Sequence, residues 1–360
     1  MKTKHLYIHV PFCKTICAYC DFCHRVYNTD LADKWLKRLK KEFKECENEN
    51  YTTIYIGGGT PTSLSDVQLE KLFKLIKPYT KRCDEYTIEA NPENLTENKV
   101  KLFKKYGINR VSIGLQSSDD KLLKLMNRHH SFDDVKKSIE MLKKYEINNI
   151  SLDIIYSLPT QTMNDLKKTV KDALSLNVPH MSLYSLTIEE NSLFGKKGYK
   201  SLDDEIEADM YEYIIAELTN NGYSHYEIAN FAKPGYESKH NLSYWRYEDF
   251  RGLSCGSSSK IGNIRYDKTR DLNKYLNSKD IIEETYKLSK EDRMFENIMM
   301  SLRMSEGLDI NKFNKKYKVN FVEYYKDQLS KNKRNILIKD NRIVVTNTNI
   351  LNSILVDFIK

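Results

Sequence analysis

Hydrophobic and polar positions alternate along the first two-thirds of the chain in a way that predicts strands and helices in turn. Short apolar runs predict the strands, and the lysine-rich segments between them, with apolar residues every three or four positions, predict the helices. The predicted strands cover residues 5–10, 52–56, 85–90, 110–115, 149–155 and 180–186. The predicted helices lie near residues 31–47, 66–78, 96–106, 132–145, 163–176 and 203–221. This alternation is typical of a parallel β-sheet wound by helices.

Three of the predicted strands carry one apolar face and one polar face, because successive side chains of a strand point to opposite sides. The polar faces include Glu89, Gln116 and Asp153, each near the carboxyl end of its strand. An open sheet covered by helices on both sides would be apolar on both faces. A polar inner face, with its polar residues near the strands' carboxyl ends, instead predicts an α/β fold of the partial (β/α)6 TIM-like barrel type, whose lumen holds a polar ligand.

The pattern changes near residue 285. Ser289 is the predicted cap of a helix that reaches toward Gly307, and two shorter helices, a hairpin over residues 335–346 and a final helix follow. Helices combined with a hairpin predict a small winged-helix-like C-terminal domain. The predicted domains are a barrel over 1–235, a connecting segment with an aromatic motif over 236–284, and the winged-helix-like domain over 285–360.

A tight cysteine loop follows directly on the first predicted strand. Cys13, Cys17 and Cys20 have the spacing C-x3-C-x2-C, which lets three thiolates hold three corners of one iron–sulfur cubane and leaves the fourth iron open. A zinc site is the alternative, since Cys23 adds a fourth thiol, but structural zinc sites usually take cysteine pairs that lie well apart in sequence. The loop therefore predicts a metal centre, with a [4Fe–4S] cluster favoured over zinc.

Charge and hydropathy restrict the classes of function. The 360 residues carry 58 basic and 50 acidic side chains, a net charge of +8 that is spread along the chain. A nucleic-acid-binding protein is expected to concentrate basic residues on one face, so a zinc-bearing winged-helix regulator is a remote alternative and no nucleic-acid partner is expected. No apolar stretch approaches the ~20 residues of a spanning helix, and the first residues do not form a signal peptide. We expect a cytoplasmic protein with reduced cysteines.

The cysteine loop, with Tyr19 before its last cysteine, resembles the signature of the radical S-adenosylmethionine superfamily. Further similar motifs lie at residues 7–13, 57–62, 88–92, 109–116, 153–159 and 240–245. They resemble the branch that contains the oxygen-independent coproporphyrinogen III oxidases and the HemW-type haem chaperones. The resemblance implies a [4Fe–4S] cluster on Cys13, Cys17 and Cys20, whose open iron binds S-adenosylmethionine and whose electron can split its sulfonium.

The resemblance also implies a set of contacts to S-adenosylmethionine. The residues at matching positions are Tyr7, Gly58, Gly59, Thr60, Glu89, Gln116, Arg128 and Asp153. Glu89 and Asp153 are suited to accept hydrogen bonds from ribose hydroxyls or the amino group, and Arg128 to pair with the methionine carboxylate. The alternative for each residue is a hydrogen bond internal to the barrel.

His240, followed by Tyr244 and Trp245, is the candidate haem site. An imidazole is the usual axial ligand of haem iron, and aromatic rings can pack on a porphyrin; the alternative is a histidine that closes the bottom of the barrel. This motif resembles the haem-binding motif of the HemW-type chaperones. Two further features favour the chaperones: few residues precede Cys13, and Cys23 lies one residue beyond the fourth cysteine of the oxidases.

The expected function is therefore that of a radical S-adenosylmethionine protein that binds haem and delivers it to acceptor haem proteins, membrane-bound ones among them, with an electron donor as a further partner. The main alternative is oxygen-independent coproporphyrinogen III oxidase, an activity we do not expect. We assign no catalytic residue, and whether S-adenosylmethionine is cleaved stays open.

Overall fold

A twelve-stranded sheet forms the centre of the protein, for which a computed structural model describes residues 3–46 and 49–359. The strands, numbered along the chain, are β1 (His5–Val10), β2 (Phe12–Cys13), β3 (Arg25–Val26), β4 (Thr53–Gly58), β5 (Glu85–Ala90), β6 (Arg110–Gln116), β7 (Asn149–Tyr156), β8 (His180–Ser185), β9 (Ser224–Glu227), β10 (Asn230–Ala232), β11 (Phe250–Leu253), β12 (Ser258–Ile261), β13 (Ile264–Lys268), β14 (Ile282–Lys287), β15 (Leu308–Asp309), β16 (Ile336–Lys339) and β17 (Arg342–Val345). The central six, β1 and β4–β8, are parallel neighbours.

Helices connect the parallel strands and begin at side-chain caps. The α-helices are α1 (Thr29–Glu42), α2 (Asp66–Ile76), α3 (Glu97–Tyr106), α4 (Asp120–Leu125), α5 (Phe132–Lys144), α6 (Met163–Ser175), α7 (Leu193–Lys196), α8 (Asp204–Asn220), α9 (Lys239–Trp245), α10 (Leu272–Asn277), α11 (Lys290–Ser301), α12 (Ile310–Tyr317), α13 (Phe321–Tyr324), α14 (Lys326–Lys331) and α15 (Leu351–Asp357). Ser65, Ser131, Thr162 and Ser289 each form a capping box with the third helical residue, which satisfies backbone N–H groups that a helix start leaves free. The sequence pattern predicted each of these four helices.

The predicted parallel sheet is confirmed, and the α/β barrel prediction with it. The sheet order is β14-β13-β12-β11-β1-β4-β5-β6-β7-β8-β10-β9. β11 adds a seventh parallel strand beside β1, and antiparallel strands extend the sheet beyond β11 and beyond β8. These extensions and α4 were not predicted, because they are short and their hydrophobic pattern is weak. Polar side chains on the inner face of the central strands meet across one lumen: the charges of Glu89 and Asp153 both act on Tyr55.

The hydrophobic core has two main parts. The larger part fills the space between the sheet and its helices, and includes Trp35, Ile56, Phe103 and Leu253, each inaccessible to solvent. Cys46, predicted to be a core residue, is fully buried there. Apolar helix stripes and the outer faces of the strands thus supply the core, while the inner faces keep their polar side chains.

A second apolar cluster lies in the C-terminal segment. It spans Met294 to Phe358 and packs α11, α12 and α15 against a small sheet of β15, β17 and β16. The predicted hairpin is present as β16 and β17, joined at Asp340 and Asn341, both with positive φ. Asn and Asp tolerate this left-handed conformation better than most residues.

Candidate cofactor site at the mouth of the barrel

The cysteine loop lies at the carboxyl ends of the parallel strands, the end that we call the mouth. Two short parallel strands close the loop: Phe12 and Cys13 in β2 pair with Arg25 and Val26 in β3. The backbone N–H of Tyr27 also donates to the carbonyl of Cys13, at 2.8 Å. The loop is therefore fixed at both ends, and its thiols are held over the barrel opening.

Each of the three predicted cluster thiols has a polar neighbour from a different element. Thr60 Oγ1 donates to Cys13 Sγ, and Arg128 Nη1 donates to Cys17 Sγ, each at 3.6 Å. Cys20 Sγ lies 3.6 Å from His24 Nδ1. Burial raises the pKa of Cys13 to about 12 and that of Cys20 to about 11, so thiolates here need a positive centre to stabilise them.

The donor set fits an iron–sulfur cluster better than a single ion. Across residues 3–46 and 49–359, no three His, Cys, Asp or Glu side chains converge as ligands of one metal ion. Cys23 is directed elsewhere, because its thiol donates to the carbonyl of Arg270 at 3.1 Å and contacts the thiol of Cys255. Three soft thiol donors fixed on a short loop are the ligand type that iron–sulfur clusters take.

The glycine run at the end of β4 lets the backbone pass close to this loop. A Cβ on Gly59 would lie 2.8 Å from the carbonyl of Phe12 and 3.0 Å from Cys13 Sγ. Gly58 has φ +114°, a backbone conformation that residues with side chains rarely adopt. Its N–H donates to Glu89 Oε2 at 3.1 Å. Gly59 and Thr60 therefore lie beside Cys13, and Gly58 lies beside Glu89.

Two carboxyl groups occupy the lumen below the loop. Glu89 accepts hydrogen bonds from Tyr55 OH at 2.9 Å and from the Gly58 backbone, and Asp153 accepts from Ser112 Oγ at 2.9 Å. Burial, followed by the charge of Asp153, raises the pKa of Glu89 to about 7. Burial also raises the pKa of Asp153. Two carboxyls that repel each other in a partly dehydrated lumen favour a ligand that donates hydrogen bonds or carries positive charge.

Gln116 and Arg128 lie together at the end of β6. Gln116 has φ +61°, where the register of β6 against β7 shifts, and this turns the strand end at the mouth. Arg128 Nη2 donates to the carbonyl of Gly114 at 3.0 Å and lies 4.0 Å from Glu93 Oε2. Its Nε is buried without a hydrogen-bond partner in the described residues, which suits an anionic group of a ligand.

Tyr7 lies on the opposite side of the lumen, on β1. Its hydroxyl is 3.0 Å from His9 Nδ1, and His9 Nε2 donates to the carbonyl of Cys23 at 2.7 Å. Sequence reasoning missed two lumen neighbours: Tyr55, whose pKa burial raises above the usual range, and Tyr184, which lies near the charge of Asp153. Strand alternation could have found Tyr55, because its side chain points to the same face of β4 as position 57. Tyr55 also pairs with Tyr7 in the sheet register.

His240 lies at the other end of the strands. We call this end the floor and define it by Thr53 and Glu85, the first residues of β4 and β5, with His240 and Tyr244 of α9. His240 Nδ1 is 2.7 Å from Thr53 Oγ1, and Nε2 is 2.8 Å from Tyr244 OH. The side chain is buried, with 1% exposure. Both ring nitrogens are therefore occupied, and neither is available to an iron in this arrangement.

Further hydrogen bonds surround His240 at the floor. Glu85 accepts hydrogen bonds from the backbone N–H groups of Lys239 and His240, both at 2.8 Å, and so holds the start of α9. Thr53 also bonds His5 Nδ1 at 2.9 Å. Burial, and then the charge of His5, lowers the pKa of His240 to about 3, so the ring is neutral at physiological pH.

Known proteins share both parts of this architecture. The family model described as "Radical SAM superfamily" matches residues 7–173, and that of the "HemN C-terminal domain" matches residues 288–348. The solved structure of coproporphyrinogen III oxidase (HemN) from Escherichia coli aligns with a TM-score of 0.86 at 21% identity, covering 100% of this chain and 91% of that one. This similarity supports the fold.

Several curated relatives are more similar in sequence to this chain than the HemN structure is. A protein of Lactococcus lactis named "Heme chaperone HemW" is 39% identical over 91% of this chain and 89% of its own length. Proteins of the same name from Bacillus subtilis and Escherichia coli are 38% and 34% identical, over 87% and 84% of this chain. No helix in the described residues is long and apolar enough to cross a bilayer.

Proposed function

Because the chain belongs to the HemW family of radical S-adenosylmethionine proteins, we propose that it is a haem chaperone, which binds haem and passes it to acceptor haem proteins. The observation that carries the proposal is 39% identity, over 91% of the chain, to a relative that bears the name of a haem chaperone. The cysteine loop at the mouth supports the same proposal, because its thiols lie where a radical S-adenosylmethionine protein needs them.

The proposed cofactors are a [4Fe–4S] cluster on Cys13, Cys17 and Cys20 and an S-adenosylmethionine beside it. When bound and reduced, such a cluster supplies an electron to S-adenosylmethionine. The chain's own part is to hold the ligand. Glu89 and Asp153 accept hydrogen bonds in the lumen, and Arg128 offers its buried Nε to the carboxylate.

The remaining proposed contacts complete a ring around the lumen. Gly58, Gly59 and Thr60 offer backbone and hydroxyl groups next to Cys13, while Gln116 and Tyr7 close the sides. Haem coordination by His240 would first require one of its two ring hydrogen bonds to break, since Thr53 and Tyr244 occupy the two nitrogens.

The proposal extends to partners, compartment and domains. Acceptor haem proteins and an electron donor are the expected partners, and the cytoplasm is the proposed compartment, where cysteines stay reduced. We also propose the division into a barrel over 1–235, a connecting segment over 236–284 and a winged-helix-like domain over 285–360. The separate apolar cluster from Met294 to Phe358 supports the last of these boundaries.

Anaerobic reconstitution followed by two assays tests the function. Haem titration, followed by absorbance, should give saturable binding and a shifted Soret band, and haem should then pass to an apo-acceptor such as an apo-cytochrome. In parallel, the reduced protein with S-adenosylmethionine should leave coproporphyrinogen III unchanged.

The opposite pair of results would assign the chain to the oxidases. Decarboxylation of coproporphyrinogen III without saturable haem binding would contradict the chaperone proposal. The HemN-like fold makes this comparison necessary, because the two activities would use the same barrel.

A further inference from the structure

The thiols of Cys23 and Cys255 meet where the end of the cysteine loop packs against the turn between β11 and β12. We call residues 254–257 the Cys255 turn. Cys255 donates a hydrogen bond to the Cys23 thiol, and that thiol donates to the carbonyl of Arg270 at 3.1 Å. Both cysteines are free thiols outside the proposed cluster ligands, so their contact calls for a chemistry of its own.

A glycine lets the loop and the Cys255 turn come this close. Gly256 has φ +72°, and a Cβ there would lie 2.5 Å from Cys23 Cβ and 3.1 Å from Cys23 Sγ. A side chain at this position would push the loop away from the turn, and with it Cys23 away from Cys255. Disulfides form only between cysteines whose backbones approach closely and whose Cβ atoms face each other. The glycine therefore maintains an approach of the kind that a disulfide needs.

The core holds the Cys255 turn from behind. Ser254 has φ +81°, its backbone N–H donates to Glu42 Oε2 at 3.0 Å, and its hydroxyl accepts from Trp35 Nε1 at 2.7 Å. Glu42 and Trp35 are both inaccessible to solvent. A residue other than glycine in this left-handed conformation costs free energy, and it persists where its surroundings fix it. The core thus fixes a strained turn in the position that presents Cys255 to the loop.

The two thiols differ in access and in acidity. Cys23 is 9% exposed and lines the open space in front of the cysteine loop, whereas Cys255 is fully buried. The hydrogen bond from Cys255 lowers the pKa of Cys23, with His9 and Arg270 acting in the same direction, and the same bond raises the pKa of Cys255. Cys23 is therefore the thiol that ionises first and that a small oxidant can reach. Cys255 lies behind it, as a resolving cysteine does.

We propose that Cys23 and Cys255 are a redox-active pair that closes a reversible disulfide, with a low-molecular-weight disulfide as the oxidant. The Cys23 thiolate attacks one sulfur of the oxidant and releases its other half. Cys255 then loses its proton and attacks Cys23 Sγ in the mixed disulfide, which releases the second half. Two protein thiols are oxidised, one external disulfide is reduced, and the two protons of the pair pass to the two released thiolates.

The bond would join the cysteine loop to the sheet without using a cluster thiol. Cys13, Cys17 and Cys20 keep their places, so the disulfide and the cluster are compatible. Cys23 and Cys255 lie far apart in sequence, and a bond that closes a long stretch of chain restricts the unfolded state. The oxidised protein should therefore be more stable. In a reducing compartment such a disulfide is transient, as expected of a redox-sensing pair.

Glutathione disulfide, added anaerobically to the reconstituted full-length protein, tests the proposal. Free thiols are then alkylated, and the peptides are mapped by mass spectrometry without reduction. Most chains should carry a peptide pair that links Cys23 to Cys255, and dithiothreitol should release it. Iron content should equal that of the untreated sample. In thermal melts of cluster-free protein, oxidation should raise Tm by about 3–8 °C.

Three variants separate the steps. Cys255→Ser removes the resolving thiol but keeps a hydroxyl that can donate to Cys23, so Cys23 should stop as a mixed disulfide with glutathione. Cys23→Ser should leave the buried Cys255 unmodified. Cys83→Ser is the matched control, because the Cys83 thiol also donates to a backbone carbonyl, that of Glu85 at 3.2 Å; this variant should form the disulfide as the wild type does. The mapping of wild-type protein decides the question even if a variant fails to fold.

Three results would overturn the proposal. In the first, Cys23 and Cys255 of the wild type stay unlinked while iron content is intact. In the second, Cys23 of the wild type stops as the mixed disulfide. In the third, Cys23 is linked to Cys20, which would place it with the cluster thiols. Each leaves the chaperone function standing, since haem binding and transfer are measured separately.

Discussion

The two ends of the barrel differ in how their polar groups are used. At the floor, the polar side chains form hydrogen bonds with one another or with the backbone, so partners within the protein satisfy them. They are Glu85, Thr53, His240 and Tyr244. At the mouth, Arg128 Nε is buried without a hydrogen-bond partner in the described residues, and burial raises the pKa values of Glu89 and Asp153. Residue types alone do not distinguish these ends, but the partners of their polar atoms do.

This comparison teaches that a histidine whose two nitrogens are bonded can become a metal ligand only by breaking one of those bonds. His240 lies in the candidate haem motif, yet both of its ring nitrogens are bonded, to Thr53 and to Tyr244. Burial adds to the contrast, because it lowers the pKa of His240 and makes its hydrogen bonds costly to break.

The largest expected effect is loss of the cluster from the mouth. Alanine at Cys13, Cys17 or Cys20 should abolish iron binding, because two remaining thiolates do not fix a cubane. Cys23→Ala should retain about four irons per chain, as expected of one cubane, since its thiol bonds Arg270 and Cys255 instead. Iron analysis and EPR of the reduced protein measure both results. An equal loss of iron in the Cys23 variant would show that Cys23 is a cluster ligand.

A substitution at the floor should lower the stability of the protein. His240→Ala breaks two buried hydrogen bonds and leaves a cavity, so the free energy of unfolding should fall by about 2–4 kcal/mol. Urea denaturation of the cluster-free protein measures this, with His129→Ala, a change at an exposed histidine, as the control, which should stay within about 0.5 kcal/mol. An unchanged midpoint for His240→Ala would mean that the floor network contributes little.

Substitution of a lumen carboxylate should weaken the binding of S-adenosylmethionine. Asp153→Asn keeps the shape of the side chain but removes its charge and one acceptor, so S-adenosylmethionine should bind about 1–3 kcal/mol more weakly. Calorimetry on the reconstituted protein gives the affinity. If binding is unchanged, the carboxyl serves only its bond to Ser112.

The smallest expected effect is a pH dependence of stability. Burial raises the pKa of Glu89 to about 7 in the folded protein, well above the usual value of a glutamate, about 4.3, so between these values the folded state binds more protons than the unfolded state. Stability of the cluster-free protein should fall as pH rises through this window, by about 2–4 °C in Tm. Glu89→Gln should flatten the profile. A profile that Glu89→Gln leaves unchanged would assign the dependence to other groups.

Much of this fold is predictable from local pattern. The strands β1 and β5 begin and end where alternation predicted, and the polar inner face that carries Glu89 and Asp153 follows from the period of two. The surroundings of His240 are not predictable in this way. Its partner Thr53 lies 187 residues away, and no local signal records which side chains a barrel brings together at its floor.

The same limit applies to His24. The sequence shows a histidine four positions after Cys20, but only the structure shows that its Nδ1 is committed to the Phe22 carbonyl. The neighbourhood of Cys23 and Cys255 is likewise tertiary, because it joins the cysteine loop to a turn after β11. Side-chain type and spacing predict candidate ligands, and tertiary contacts decide which of them remain available.

The contrast between mouth and floor is tested most directly by measuring how tightly S-adenosylmethionine binds to two variants, each with one substitution on the same strand. Glu89 and Glu85 both lie on β5, the former facing the mouth and the latter holding α9 at the floor. By calorimetry on reconstituted protein, Glu89→Gln should weaken binding about tenfold or more, while Glu85→Gln should keep the wild-type affinity and lower only Tm. Wild-type affinity in Glu89→Gln, or weakened binding in Glu85→Gln alone, would contradict the account.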